Sequence, residues 1–252
     1  MRERLLVLAK ACPEVSQKYE SLICVAGITA KGEWRRIYPI PWKIFWGASP
    51  KNFSKKQWIE YELEDEKPSD HRPESRKIKP NTIRALKREE YGKIEKLLAE
   101  RITTIERLES KGSKTASLGV IKPESIEDFF PITNRQYQKS VTKGAQMDLF
   151  GKSAVKLEIP KYKYKYLFMD DTDGRTHEIL CEDWEVGELY RNCEDYRKTG
   201  RYKDEDEVHQ KVKDKMLDIT KNGAYFIMGS HYRFPTYMII GVIYPTKKDL
   251  GD

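Results

Sequence analysis

The sequence KYKYKYLF at Lys161–Phe168 alternates between two kinds of side chain with the two-residue period of a β-strand. One face of this predicted strand is aromatic and the other face is cationic. The aromatic face could stack on unpaired bases while the lysines bind a phosphate backbone. Alternatively, the tyrosines pack into a core and the lysines are solvated. On either interpretation, the strand is expected to begin the second structural half of the chain.

The residues after this strand predict a hairpin, two helices and a second hairpin. An acidic, glycine-containing turn should lead to a return strand at Thr176–Cys181. A helix should start near Asp183, whose carboxylate suits the positive end of a helix dipole. A second, highly charged helix is expected over Asp204–Thr220. The last hairpin should pair Ala224–Gly229 with Tyr237–Tyr244.

The N-terminal part of the chain contains several short apolar runs that predict closely spaced strands. These runs are Leu5–Ala9, Leu22–Ile28, Trp34–Ile40 and Gln57–Leu63. Closely spaced strands with aromatic alternation favour a small β-barrel. A helix should follow from about Asn81 to about Ser110, either continuous or split at Gly92, and a short helix should span Pro123–Phe130.

Together these patterns predict an α+β protein with three segments. We expect a β-rich, OB-like domain at 1–80, a helical segment with a polar linker at 81–154, and an α+β domain at 155–252, which combines a mixed sheet with helices.

Composition indicates a globular protein, and its modest basic excess favours polyanionic partners or acidic surfaces. Lys and Arg outnumber Asp and Glu by 47 to 40 in the 252 residues, for a formal net charge of +7. No apolar run approaches a membrane span and the N-terminus does not resemble a signal peptide, so we expect a cytoplasmic protein without a membrane partner. The four cysteines lack metal-site spacing, and no nucleotide-binding motif is present, so we expect neither a metal nor a cofactor.

Arginines and lysines interleaved with aromatic residues supply the candidates for nucleic-acid binding. The cations expected to contact phosphate are Arg35, Arg36, Lys161, Lys163, Lys165 and Arg233. The aromatic residues expected to stack on bases are Trp34, Tyr38, Tyr164 and Tyr232. Arg233 lies between two aromatic residues at the predicted tip of the last hairpin, where a ligand could reach it. The alternative is a turn that the aromatic residues merely anchor.

One short motif suggests a protein partner. The residues Gln146, Leu149 and Phe150 belong to the stretch QMDLF, which resembles the peptide by which many bacterial replication and repair proteins bind the sliding clamp. Leu149 and Phe150 would fill an apolar pocket while Gln146 fixes the orientation. Alternatively, this pair packs onto its own domain.

The strongest enzymatic alternative is a metal-dependent nuclease. His177 follows the acidic turn that contains Asp170, and Asp183 and Glu185 lie at the start of the next helix. Oxygen ligands with an imidazole are typical of catalytic metal sites, which makes His177, Asp183 and Glu185 the candidate catalytic residues. Acids are also common in turns and at helix N-termini, so we expect a protein that is not an enzyme.

Two segments carry a resemblance to known sequences. Cys24–Ile28 with Trp34–Pro39 is similar to the opening of uncharacterised prokaryotic proteins that are linked to mobile elements and defence systems and described as having dual OB-like domains. The stretch from Asp183 to Arg191 and the hairpin Gly229–Pro245 also resemble parts of these proteins. Their cysteines before the residue matching His177 are absent here, which removes the expectation of a zinc knuckle.

The resemblance implies nucleic-acid handling in a defence context. We therefore expect a nucleic-acid-binding accessory subunit of a larger prokaryotic effector, in a heterodimer with a nuclease or another effector chain of Argonaute or CRISPR type.

Overall fold

The computed structural model describes residues 1–12, 22–45, 51–135, 137, 160–170 and 174–251, and these residues form two six-stranded sheets with helices. The strands of the first sheet, in chain order, are β1 (Arg2–Lys10), β2 (Leu22–Thr29), β3 (Trp34–Pro41), β4 (Gln57–Glu62), β5 (Ser75–Arg76) and β6 (Arg84–Arg88). They lie in the order β5-β3-β2-β1-β4-β6, and only the β3–β5 pair is parallel.

The second sheet is built from later residues. Its strands are β7 (Leu118–Ile121), β8 (Ser125–Thr133), β9 (Tyr162–Met169), β10 (Thr176–Cys181), β11 (Tyr225–Ser230) and β12 (Tyr237–Ile243). Their order is β7-β11-β12-β10-β9-β8, with β10 and β12 parallel and the other neighbours antiparallel. The described α-helices are α1 (Tyr91–Ala99), α2 (Ile105–Lys111), α3 (Trp184–Lys198), α4 (Glu205–Thr220) and α5 (Lys247–Leu250). None of these helices is long and apolar enough to cross a bilayer.

The two sheets pack against each other through a shared apolar core. Strand β1 is apolar on both faces: Leu6 and Leu8 face the second sheet, whereas Leu5 and Val7 face the core on the far side of the first sheet. The approach of β12 to β1 requires a glycine, because a Cβ at Gly241 would lie 2.6 Å from the Leu8 carbonyl oxygen. The far side of the second sheet is covered by α2, α3 and α4.

The structure confirms the α+β class, but the predicted N-terminal β-barrel is wrong. Both sheets are open, with β5 and β6 at the edges of the first and β7 and β8 at the edges of the second. In place of one long helix from Asn81 to Ser110, residues Arg84–Arg88 pair with β4 as an edge strand and two shorter helices follow. The expected helix at Pro123–Phe130 is instead strand β8, because Phe129 pairs with Tyr166 of the aromatic strand.

The local predictions for the C-terminal half are confirmed. Strands β9 and β10 form the predicted hairpin, and Asp183 caps α3 by accepting the Glu185 N–H at 3.0 Å. Asp204 caps α4 by accepting the Glu207 N–H at 2.9 Å. The last hairpin is formed by β11 and β12.

Candidate nucleic-acid interface

The aromatic face of β9 is part of the core. Tyr164, Tyr166 and Phe168 are at most 1% exposed and pack under α3 and α4, with the Phe129 and Tyr164 rings stacked at 5.1 Å. A ring in this position has no face open to a base. The expectation that Tyr164 stacks on nucleic acid is therefore wrong, and the core interpretation of the strand is correct.

The lysines of the same stretch are neutralised by carboxylates on neighbouring elements. Lys161 pairs with Glu205 at the start of α4, and Lys163 pairs with Glu182 after β10. Lys165 pairs with Glu178 of β10 at 2.5 Å. Because each lysine has an acidic partner, this surface has little excess positive charge to attract phosphate. It is therefore a weaker candidate for a nucleic-acid-binding site than the sequence alternation suggested.

Arg35 and Arg36 are structural residues. Arg35 is 7% exposed and its Nη2 donates to Glu3 at 2.7 Å and to Glu33 at 2.9 Å. Arg36 is 3% exposed and its Nη2 donates to the Ser117 carbonyl oxygen at 2.9 Å, which joins the two sheets. Both guanidinium groups lie inside the protein, so the structure does not support the expectation that they contact phosphate.

Trp34 and Tyr38, on the same strand, are also partly enclosed. Trp34 packs at the edge of the core between the sheets, and Tyr38 is half-buried. Neither ring has the exposure of a stacking platform.

The Glu3–Arg35 pair makes a specific prediction about stability and pH. Burial raises the pKa of Glu3, but hydrogen bonds from Arg35 and from the Tyr61 hydroxyl outweigh it and hold this pKa below its ordinary value. A carboxyl group with a lowered pKa in the folded state stabilises the protein above its unfolded-state pKa of about 4.3, and this contribution is lost as the pH falls through the folded-state pKa. We expect Glu3→Gln to lower the free energy of unfolding at pH 7 by about 1–3 kcal/mol, and to make its decline below pH ~5 shallower.

Urea unfolding from pH 3 to pH 7 measures both effects. Glu33→Gln is the matched control, because Glu33 also binds Arg35 but its side chain is 58% exposed, and we expect it to change little. Equal behaviour of the two variants would contradict a special role for Glu3.

The tip of the β11–β12 hairpin presents aromatic rings to solvent. Tyr232 is 55% exposed and Phe234 is 61% exposed, and no other aromatic residue that the structure describes is as exposed. The exposed Arg233 lies between them and forms no ion pair with a described residue, although its backbone N–H donates to His231 Nδ1 at 3.0 Å. Two large aromatic side chains that are exposed to water two positions apart in the chain are unfavourable, so this arrangement points to a binding surface.

A loop before β5 braces this tip. The Arg72 guanidinium pairs with Asp70 at 2.6 Å, donates to the Ser230 carbonyl oxygen at 3.4 Å, and lies 5.4 Å from the centre of the Tyr232 ring. The His71 ring centre is 5.5 Å from that of Tyr232. We call the set His71, His231, Tyr232, Arg233 and Phe234 the tip surface, and the buried Arg72, which is paired with Asp70, supports it from beneath. It combines exposed aromatic rings with the exposed cation Arg233, and proteins bind unpaired bases with such combinations.

The expected nuclease residues do not form one site. His177 lies near the beginning of β10 and Asp183 just beyond its end, so the rise of a strand separates them by ~20 Å. Asp183 is 1% exposed, and its Oδ2 accepts from Lys55 Nζ at 2.5 Å and from the Val242 N–H at 2.7 Å.

Lys55 completes this buried pair from the first sheet's side of the molecule. Its ammonium group also donates to the Val242 carbonyl oxygen at 2.9 Å and pairs with Glu185 at 3.0 Å. Although burial opposes the charge, Asp183 and Glu185 hold the pKa of Lys55 above its ordinary value. A cavity of about 120 Å³ adjoins the pair, lined by apolar residues of α3 and α4 and by Tyr244. Since every donor of Lys55 is used, the group connects the two sheets and is not poised for proton transfer.

His177 lies close to acidic residues other than Asp183 and Glu185. Its Nε2 lies 2.9 Å from Asp170 Oδ1 and 3.4 Å from Glu106 Oε1. The sequence interpretation included Asp170 but missed Glu106 on α2 and Lys55, because each lies far along the chain from its partner. The expected clamp-binding residues Gln146, Leu149 and Phe150 lie outside the described residues.

Comparison with known proteins gives two family matches. Searches of curated proteins and of solved structures found no match. The family described as Domain of unknown function (DUF8758) matches residues 1–107, and Domain of unknown function (DUF8757) matches residues 100–251. The two matches meet between β6 and β7, where the chain passes from the first sheet to the second. Because the second match covers more than half of the 252 residues, the chain belongs to the family described as Domain of unknown function (DUF8757).

Proposed function

We propose that this protein binds single-stranded nucleic acid through the tip surface. The observation that carries the proposal is the exposure of Tyr232 and Phe234 on either side of Arg233. A base stacked on an aromatic ring gains about 1–3 kcal/mol, and an arginine beside it can bind the adjoining phosphate. Unpaired bases are required, because only they offer a free face to the rings.

The location of the tip surface favours contact with a long ligand. Residues 232–235 lie beyond the last backbone hydrogen bond of the hairpin, from the His231 N–H to the Thr236 carbonyl oxygen, and all four are exposed. A nucleic-acid strand can therefore lie across them without entering the protein. The chain's formal net charge of +7 adds a long-range attraction to any polyanion. The lysines near β9 are not included in this site because each one pairs with a carboxylate. The arginines of β3 are not included because they are buried.

We expect labelled single-stranded oligonucleotides to bind with an affinity that falls as salt rises. For single strands, the logarithm of the association constant falls with the logarithm of salt concentration by about 0.7 per phosphate contacted. Arg233→Glu should weaken binding and make this slope shallower by about 0.7 or more, because it removes at least one such contact. Fluorescence anisotropy at several salt concentrations, with DNA, RNA and a duplex as separate probes, measures it.

Lys248→Glu provides the matched control, since Lys248 is an exposed lysine on α5 that changes the net charge equally. Identical affinities and slopes for the two variants would show that only net charge matters, and would contradict a site at the tip.

We further propose, from the sequence resemblance alone, that the protein is an accessory subunit of a prokaryotic defence effector. This role is compatible with the tip surface, because a small binding subunit can extend the nucleic-acid channel of a larger chain. A neighbouring gene for a nuclease or Argonaute that lacks part of its usual architecture would support it. Copurification of the two encoded chains would test the partnership directly.

A further inference from the structure

A cluster of three potential metal ligands lies at the end of the second sheet, separate from the tip surface. Asp170 directly follows β9, and His177 lies opposite Phe168 in the β9–β10 hairpin, so the hairpin brings these two side chains together. Asp170 Oδ2 also accepts the Ile105 N–H at 2.8 Å and thereby fixes the start of α2. Glu106 is the next residue of that helix and turns towards His177.

Two distances in this cluster match those between the ligand atoms of a bound metal ion. Ligand atoms ~2.1 Å from an ion are separated by about 3.0 Å at right angles and about 3.4 Å at tetrahedral angles. His177 Nε2 is 2.9 Å from Asp170 Oδ1 and 3.4 Å from Glu106 Oε1, and all three ligand atoms lie within 4.8 Å of one another. The Glu106 side chain is 34% exposed, so it can rotate towards Asp170, and an ion can reach the cluster from solvent beside it.

The charges of the cluster also favour a cation. The Asp170 side chain is 1% exposed, and within the described part of the chain no lysine or arginine forms an ion pair with it or with Glu106. Buried carboxylates are normally paired with cations or coordinate metals. A divalent ion would balance the negative charges of the two carboxylates.

We propose that Glu106, Asp170 and His177 bind a divalent transition-metal ion. One imidazole with two carboxylates suits Zn²⁺ or Mn²⁺, and the Irving–Williams order places Zn²⁺ above Mn²⁺. Mg²⁺ and Ca²⁺, which prefer oxygen ligands, should bind more weakly. Three protein ligands would leave a fourth position for water. The ion would connect α2 to the β9–β10 hairpin across the edge of the core.

Isothermal titration of the chelator-treated full chain with ZnCl₂ tests this proposal. We expect one Zn²⁺ per chain, weaker binding of Mn²⁺, and a rise in the unfolding temperature with Zn²⁺. Glu106→Gln should raise the dissociation constant by about tenfold or more, and His177→Gln should abolish binding at this site.

Glu109→Gln is the control, because Glu109 is an exposed acid on the same helix outside the cluster. Because the Glu106 side chain is 34% exposed and Gln has nearly the same size, we expect Glu106→Gln to fold normally, which keeps the test interpretable even where His177→Gln disturbs the fold. Absence of Zn²⁺ binding, or equal binding by Glu106→Gln and Glu109→Gln, would overturn the proposal.

Discussion

Asp183→Asn is expected to lower the free energy of unfolding by about 3–5 kcal/mol, because it leaves the Lys55 ammonium group buried without its main counter-charge. The side chains of Lys55 and Asp183 are 5% and 1% exposed, so water cannot replace the lost carboxylate. Asparagine keeps an oxygen that can accept the Glu185 N–H as the cap of α3, while its NH2 group replaces Oδ2, which accepts from Lys55 and from the Val242 N–H. The loss therefore reports these two buried contacts and not the cap. Urea unfolding at pH 7 gives the value.

Two further variants distinguish the contribution of the Lys55–Asp183 pair from that of neighbouring groups. Glu185→Gln removes the other acidic partner of Lys55, but that side chain is 44% exposed, and we expect a loss below about 1 kcal/mol. Lys55→Met in the Asp183→Asn background removes the unpaired charge and should restore much of the stability. If Asp183→Asn unfolds at the same urea concentration as the wild type, the pair does not hold the sheets together as described.

The second large effect concerns binding. Tyr232→Ala combined with Phe234→Ala should weaken single-strand binding by about 5- to 150-fold for each base that stacks on a ring, since one stack contributes about 1–3 kcal/mol. Both rings are more than half exposed, so the double variant should unfold at the temperature of the wild type. Anisotropy titration with the oligonucleotide used for Arg233→Glu measures the change.

Tyr196→Ala is a close control for this variant. Tyr196 is 40% exposed on α3 and has an arginine beside its ring, with the Arg201 guanidinium carbon 4.4 Å from the ring centre. It therefore reproduces an exposed aromatic ring with a neighbouring cation at another place on the surface. An equal loss of affinity in Tyr196→Ala would mean that binding is dispersed, and would contradict a site at the tip.

Local patterns predicted much of the C-terminal half. The alternation in Lys161–Phe168, the acids at Asp183 and Asp204, and the apolar faces of the helices are each encoded within a few residues. The same patterns did not decide which face of β9 is buried. That depended on α3 and α4, which cover the tyrosines, and on carboxylates from β10 and α4, which neutralise the lysines.

The errors came from contacts between distant parts of the chain. Arg84–Arg88 has residues that suit a helix, but pairing with β4 makes it an edge strand. Lys55 and Asp183 are 128 positions apart, and Glu106 meets His177 only because α2 packs at the end of the second sheet. Arg36 was predicted to contact phosphate because the sequence alone does not show that the second sheet covers this residue.

Photo-crosslinking of the full-length protein to a single-stranded oligonucleotide with 5-iodouracil or 4-thiouracil at each position in turn tests the central claim most directly. Mass spectrometry of the conjugates should place the principal crosslinks on Tyr232 or Phe234, and Tyr232→Ala/Phe234→Ala should abolish them. Crosslinks that instead map to the strand Tyr162–Met169, or that persist unchanged in the double variant, would contradict binding at the tip surface.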